Sequence, residues 1–171
     1  MERVLPYDPQ WAETFLIEAK SLTAALHPLA ITLHHMGSTA VPGILAKPVI
    51  DILGAVASLD ALDAASSRLS GLGYEAMGAF GIEGRRYFRK TRCDGVRTHH
   101  LHVYTECSFQ IPRHLAFRDY LRAHPARAAA YGTVKAAIVG GDHPSGLTYA
   151  QAKAGMVAEI KAEAAAWRPR T

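Results

Sequence analysis

Apolar residues recur at helical spacing between positions 11 and 26, where Phe15, Ala19, Leu22 and Leu26 form one stripe. Asp8 stands where a capping side chain belongs and Pro9 where a first-turn proline is tolerated, so the pattern predicts a helix that stops at His27 and Pro28. Residues 31–36 read as a short strand. Residues 49–56 form a β-branched run without alternation, the pattern of a strand covered on both faces, and Asp51 interrupts it. A second helical stripe, Leu62, Ala65, Leu69 and Leu72, follows Ser58 as cap and ends at Gly73, which suits a left-handed C-terminal position. Residues 86–92 and 98–104 predict two antiparallel strands joined through Cys93, Asp94 and Gly95, because Asp-Gly favours hairpin turns. The remaining third predicts three helices over 112–123, 125–139 and 148–167, the last opened by Thr148 and Gln151 at capping-box spacing. The turn-rich connection 140–146 is placed to close over a site. The fold class expected is therefore α+β, a sheet flanked by helices with a C-terminal helical region.

Composition narrows this picture. A chain of 171 residues with 49% hydrophobic content suits one domain over 1–171 and is short for two. Cys93 and Cys107 have neither the number nor the spacing of a disulfide framework or a zinc cassette, and are expected to be reduced thiols. The first residues lack the apolar core of a signal peptide and no stretch reaches the length of a membrane span, so the expected location is cytoplasmic, away from membranes. Lys and Arg number 19 against 15 acids, a net charge of +4. That excess suits an anionic ligand but falls short of a dedicated nucleic-acid binder, which favours a nucleotide or phosphorylated small molecule over a polymer.

The chemistry concentrates around residues 35–51. Gly37 and Ser38 follow a predicted strand, where a missing Cβ lets backbone N–H groups approach an anion, and the hydroxyls of Ser38 and Thr39 add donors. An ordinary helix cap is the alternative for this pair. Asp51, inside an apolar strand, requires a cation or hydrogen-bond donors. His100 and His102 lie two apart on a predicted strand and share a face. With Asp51 they make two imidazoles and a carboxylate, a set that suits zinc, manganese or iron better than magnesium; the alternative is that the histidines hydrogen-bond or contact phosphate. The same alternation directs His35 to the cleft and His34 away from it.

Arg86 and Lys47 are the candidate phosphate contacts; Arg85, Arg89 and Lys90 accompany Arg86 on a strand edge that is equally readable as solvated. Arg118, Asp119 and Arg122 read as a surface ion-pair network. Tyr131 with Lys135, and Tyr149 with Lys153, are i, i+4 pairs read as bracing the helices, the alternative being a wall against a nucleotide base. His114 is read as structural.

The run His35-Met36-Gly37-Ser38-Thr39-Ala40-Val41-Pro42-Gly43, followed by Ala46-Lys47-Pro48-Val49-Ile50-Asp51-Ile52, resembles the signature of the GrpB family. The later runs from Thr98 to Val103 and from Phe117 to Pro125 match it too, so that the resemblance covers essentially the whole chain. It implies a nucleotidyltransferase-like fold, with Gly37 and Ser38 under nucleotide phosphates and Asp51 as the catalytic carboxylate holding a divalent metal (magnesium, manganese or zinc). His100 and His102 fall where that superfamily carries a further acid, and Arg86 leads an Arg-Tyr-Phe segment typical of the family. Leu53 stands where a second strand carboxylate is expected, which sets metal-dependent nucleotidyl transfer against a catalytically inactive accessory module. Family members fused to dephospho-CoA kinase make that kinase, or a coenzyme A precursor, the expected partner of such a module.

Overall fold

The computed structural model describes residues 4–141 and 147–167. Helix α1 (Gln10–Leu26) starts where the pattern places it: the Asp8 carboxylate accepts from the Gln10 N–H at 2.9 Å, and Pro9 is the capping residue itself, one position earlier than expected. Strand β1 (Thr32–Met36) leads through a single 3-10 turn, Ser38–Ala40, to β2 (Ile50–Val56). The stripe over 59–72 divides into α2 (Leu59–Ala65) and α3 (Ser67–Ser70), because the Ser66 hydroxyl donates to the Asp63 carbonyl at 2.8 Å and competes with the helical ladder. Strand β3 (Tyr74–Ala76) went unpredicted, being too short to show alternation. The hairpin of β4 (Arg86–Thr91) and β5 (Arg97–Thr105) turns at Gly95 with φ 82°.

Helices α4 (Gln110–Ala123) and α5 (Pro125–Val139) follow. The last predicted helix divides at Lys153 into α6 (Tyr149–Ala152) and α7 (Ala154–Ala166), and its Thr148/Gln151 capping box forms. Of the connection over 140–146, residues 142–146 lie outside the described residues.

The five strands run in the order β1-β2-β5-β4-β3, with β2 and β5 parallel and the other neighbours antiparallel. One face carries Ile50, Ile52, Val56, Leu101, Val103 and Phe88 against Trp11, Leu22, Leu26, Leu62 and Leu69 of α1, α2 and α3. Complete burial of a leucine such as Leu22 or Leu26 contributes roughly 1.5–3 kcal/mol. On the other face Met36, Leu53 and Tyr104 meet Ile111 and Leu115 of α4, and α4, α5 and α7 share a further cluster around Leu121, Tyr131 and Ile160. Helices on both sides explain why β2 shows no alternation. Asp51 pairs with Met36 and His100, so it faces the α4 side, where the helices leave an opening. No helix of the described residues is long and apolar enough to cross a membrane. Cys93 and Cys107 are free and exposed.

Candidate functional site

Asp51 sits at the second position of β2, directly under the turn that follows β1. Gly37 forms that turn with φ 72° and ψ −169°, a backbone region essentially reserved for glycine. A Cβ on Gly37 would lie 2.4 Å from Asp51 Oδ2, so the backbone closes onto the carboxylate only because the side chain is absent. Helix α4 clamps both ends of the turn: Arg118 donates to the His35 carbonyl at 3.0 Å and Arg122 to the Ala40 carbonyl at 2.8 Å. These arginines, read from the sequence as part of a surface network, therefore hold the glycine turn in place; only Arg118 also bonds Asp119 closely, at 2.8 Å.

The parallel pairing of β2 with β5 brings His100 opposite Asp51 and His102 opposite Leu53. His100 Nδ1 lies 2.9 Å from Asp51 Oδ1, and one ligand atom from each of Asp51, His100 and His102 falls within 4.8 Å of the others. Burial pushes the Asp51 carboxyl up, but the hydrogen bond from His100 and the charges of His100, His102 and Lys153 outweigh it and hold it below its ordinary value. Burial pulls His102 down to about 4, so at neutral pH its ring is uncharged, the form that ligates metal. Arg85, held by the carbonyls of Ala79 and Phe80 at 3.1 and 2.8 Å, reaches His102 Nδ1 at 3.4 Å, the far limit of a hydrogen bond, which a cation at the trio would replace. The donor set fits a divalent transition metal better than magnesium, whose preference is an oxygen octahedron.

A cavity of about 250 Å³ opens beside the trio, lined by Ser38, Thr39, Lys47, Asp51, His100, Tyr149 and Lys153. Lys47 Nζ stands 3.4 Å from the centre of the Tyr149 ring and Lys153 Nζ 5.0 Å from the same ring. Lys135, fully buried on α5, donates to Ser38 Oγ at 2.7 Å. Its burial, with the charge of Lys153, pulls its ammonium down to about 7 against the opposing pull of Asp51. The two Tyr-Lys pairs thus flank the cleft instead of only bracing helices. Their spacing was visible in the sequence, but the target of their faces was not.

Two expected positions differ. His35 pairs with Ile52 and His34 with Leu53, so the alternation runs opposite to expectation and His35 turns away from the trio. Its ring stacks on Phe15 at 5.0 Å and its Nε2 lies 2.9 Å from Thr39 Oγ1. Thr39 also donates to the Val49 carbonyl at 3.3 Å, so its hydroxyl serves the scaffold. Arg86 shares the face of Phe88, away from the cleft, and grips Asp63 with contacts of 2.7, 3.0 and 2.7 Å; Tyr87, one residue on, faces His102. The arginine that reaches the trio is Arg85, the neighbour of Arg86. Arg86→Ala is accordingly expected to reduce stability by about 1 kcal/mol or less, its ion pair being partly exposed, and to leave ligand binding unchanged, as urea melts and a ligand titration would show.

The family description "GrpB protein" matches residues 2–163. The chain belongs to the GrpB family. The UPF0157 protein YqkA of Bacillus subtilis is 39% identical over 166 residues, which cover 96% of this chain and 48% of YqkA, so the chain spans about half the length of that relative. A dephospho-CoA kinase of Mycobacterium bovis is 40% identical over 75 residues, 42% of this chain and 18% of the kinase. The crystal structure of GrpB from Enterococcus faecalis superposes with a TM-score of 0.85 at 40% identity, covering 95% of this chain and 96% of that one. The MgGTP-bound Cid1 poly(U) polymerase superposes with a TM-score of 0.52 at 12% identity, over 80% of this chain and 43% of the polymerase. The GrpB fold is therefore nucleotidyltransferase-like.

Proposed function

We propose that this GrpB chain binds the phosphates of a nucleotide or phosphorylated small molecule between Ser38 and Asp51, together with a divalent cation, and that metal-dependent nucleotidyl transfer is the reaction this pairing serves. The observation that carries the reading is the convergence of Lys47, Lys135 and Lys153 with the Gly37–Ser38 turn beside a carboxylate and two imidazoles. Cations suited to phosphate thus adjoin ligands suited to a metal. Asp51, His100 and His102 would hold manganese, zinc or magnesium, whose charge would neutralise phosphate oxygens, while Lys47 and Lys153 orient them. The MgGTP-bound state of the Cid1 polymerase supports the reading through the shared fold.

Elemental analysis of the purified protein, with thermal melts in ATP and each metal, tests it. One equivalent of metal is expected, lost in the Asp51/His100/His102 triple alanine variant, and ATP should raise the melting temperature only when metal is present. A protein that takes neither metal nor ATP has no such site.

Leu53 favours a second reading. It is completely buried against Met36 and Tyr104, so the strand position two residues beyond Asp51 adds core and no carboxylate. A phosphate-binding accessory module without turnover, partnered by dephospho-CoA kinase or its substrate, fits that feature and the match to the mycobacterial kinase. Asp51→Ala separates the two: the enzyme loses turnover, whereas the module has none to lose and depends on Ser38 and Lys47 for binding.

A further inference from the structure

A second cavity, of about 260 Å³, also borders Asp51. It shares Ser38, Asp51 and Lys153 with the phosphate cleft, but His102 lines it where His100 lines the first. The trio thus stands in the partition between two chambers.

The remaining walls of the second chamber differ in chemistry. Phe117 and Tyr131 meet edge to face with centroids 6.1 Å apart, and Met36 and Val157 add apolar surface. Beyond Ser38, Asp51, His102 and Lys153, its polar lining is His114 and Lys161. His114, pulled down to about 4 by burial and by the charges of Lys161 and Arg113, is neutral at physiological pH. Burial and then the charge of Arg113 lower the Lys161 ammonium, and among the described residues neither Lys161 nor Arg113 forms an ion pair. The acids nearest in sequence, Glu159 and Glu163, are both taken by Arg127. Lys161, half-buried beside an aromatic wall and repelled by Arg113, gains from an anion that joins it, since the chamber's own carboxylate, Asp51, is engaged by His100.

Size limits that anion. A cavity of about 150 Å³ admits a benzene molecule. One of about 260 Å³ admits a substituted single ring and is small for a nucleoside.

We infer that the second chamber is a separate ligand site for a small aromatic or planar molecule carrying one anionic group, with the ring against the wall that Phe117 and Tyr131 form and the anion at Lys161. Its role as the acceptor site of a transfer rests on the function proposed above; its capacity to bind does not. The probes are 4-hydroxybenzoate and its uncharged counterpart 4-hydroxybenzamide, titrated calorimetrically into the wild-type chain with and without ATP and manganese. The benzoate is expected to bind one per chain, at least ten-fold more tightly than the amide, with affinity that ATP and manganese leave in place; Lys161→Met should bring it down to the level of the amide. No binding, equal affinity for both probes, or displacement by ATP overturns the inference, displacement showing that the chamber is the base end of the nucleotide cleft. If the benzoate behaves as expected while ATP and metal do nothing, the second site stands and the phosphate-and-metal reading fails. If ATP binds with metal and the benzoate does not, the reverse holds.

Discussion

Gly37→Ala is expected to lower the melting temperature by on the order of 10 °C and, at the metal site proposed above, to abolish metal binding in the same step. Two effects combine. The backbone at φ 72° and ψ −169° costs roughly 1–3 kcal/mol for a residue with a side chain, and the new Cβ meets Asp51 Oδ2 at 2.4 Å. Either the turn shifts or the carboxylate rotates off His100, and the trio is broken in both cases. In a chain of 171 residues each kcal/mol corresponds to about 2–4 °C, which sets the scale of the expected drop. Gly73→Ala separates strain from the site: Gly73 also has positive φ, at 86°, but a Cβ there meets only the Lys90 side chain at 3.8 Å. It should lose stability and keep its metal. A Gly37→Ala protein that melts with the parent and retains metal contradicts the close packing of turn and carboxylate.

Lys135 makes stability rise with pH. Its amine titrates near 10.5 when the chain is unfolded and near 7 when folded, so between those values the unfolded state binds more protons. The destabilisation is fully present below pH 7 and is relieved as pH climbs toward 10.5. From pH 7 to pH 9 the wild type should gain about 2 kcal/mol relative to Lys135→Met in urea melts. The groups facing this amine are Ser38, Lys153, Asp51 and Tyr131, and burial raises the Tyr131 hydroxyl above its ordinary range, leaving it protonated in that window. Parallel stability curves for the two proteins would mean that the lysine is solvated. The destabilisation also has a functional reading: among the described residues Lys135 forms no ion pair, and a phosphate placed against Ser38 would set a counter-charge beside it.

Helix and strand identities were legible because each depends on local periodicity. The stripe Phe15, Ala19, Leu22 and Leu26, the unalternating run containing Asp51, and the Asp94-Gly95 turn each encode one element in a few neighbouring residues. The shared face of His100 and His102 followed from strand geometry alone, and the motif around Gly37, Ser38 and Asp51 carried the family and its fold. What depends on register is beyond such patterns. Alternation within β1 directs His35 to the cleft and the family resemblance directs Arg86 there, but which face looks toward α4 is decided by pairing with the next strand, and a shift of one residue exchanges the faces. Lys135 meets Ser38 across 97 residues of chain, and Arg118 meets the His35 carbonyl across 83, contacts that no local pattern encodes. The sequence by itself determined the elements and the residue types available for phosphate and metal. Tertiary structure alone decided which cations face the cleft and placed the trio between two chambers, because both follow from how strands pair and helices pack over distances that periodicity does not span.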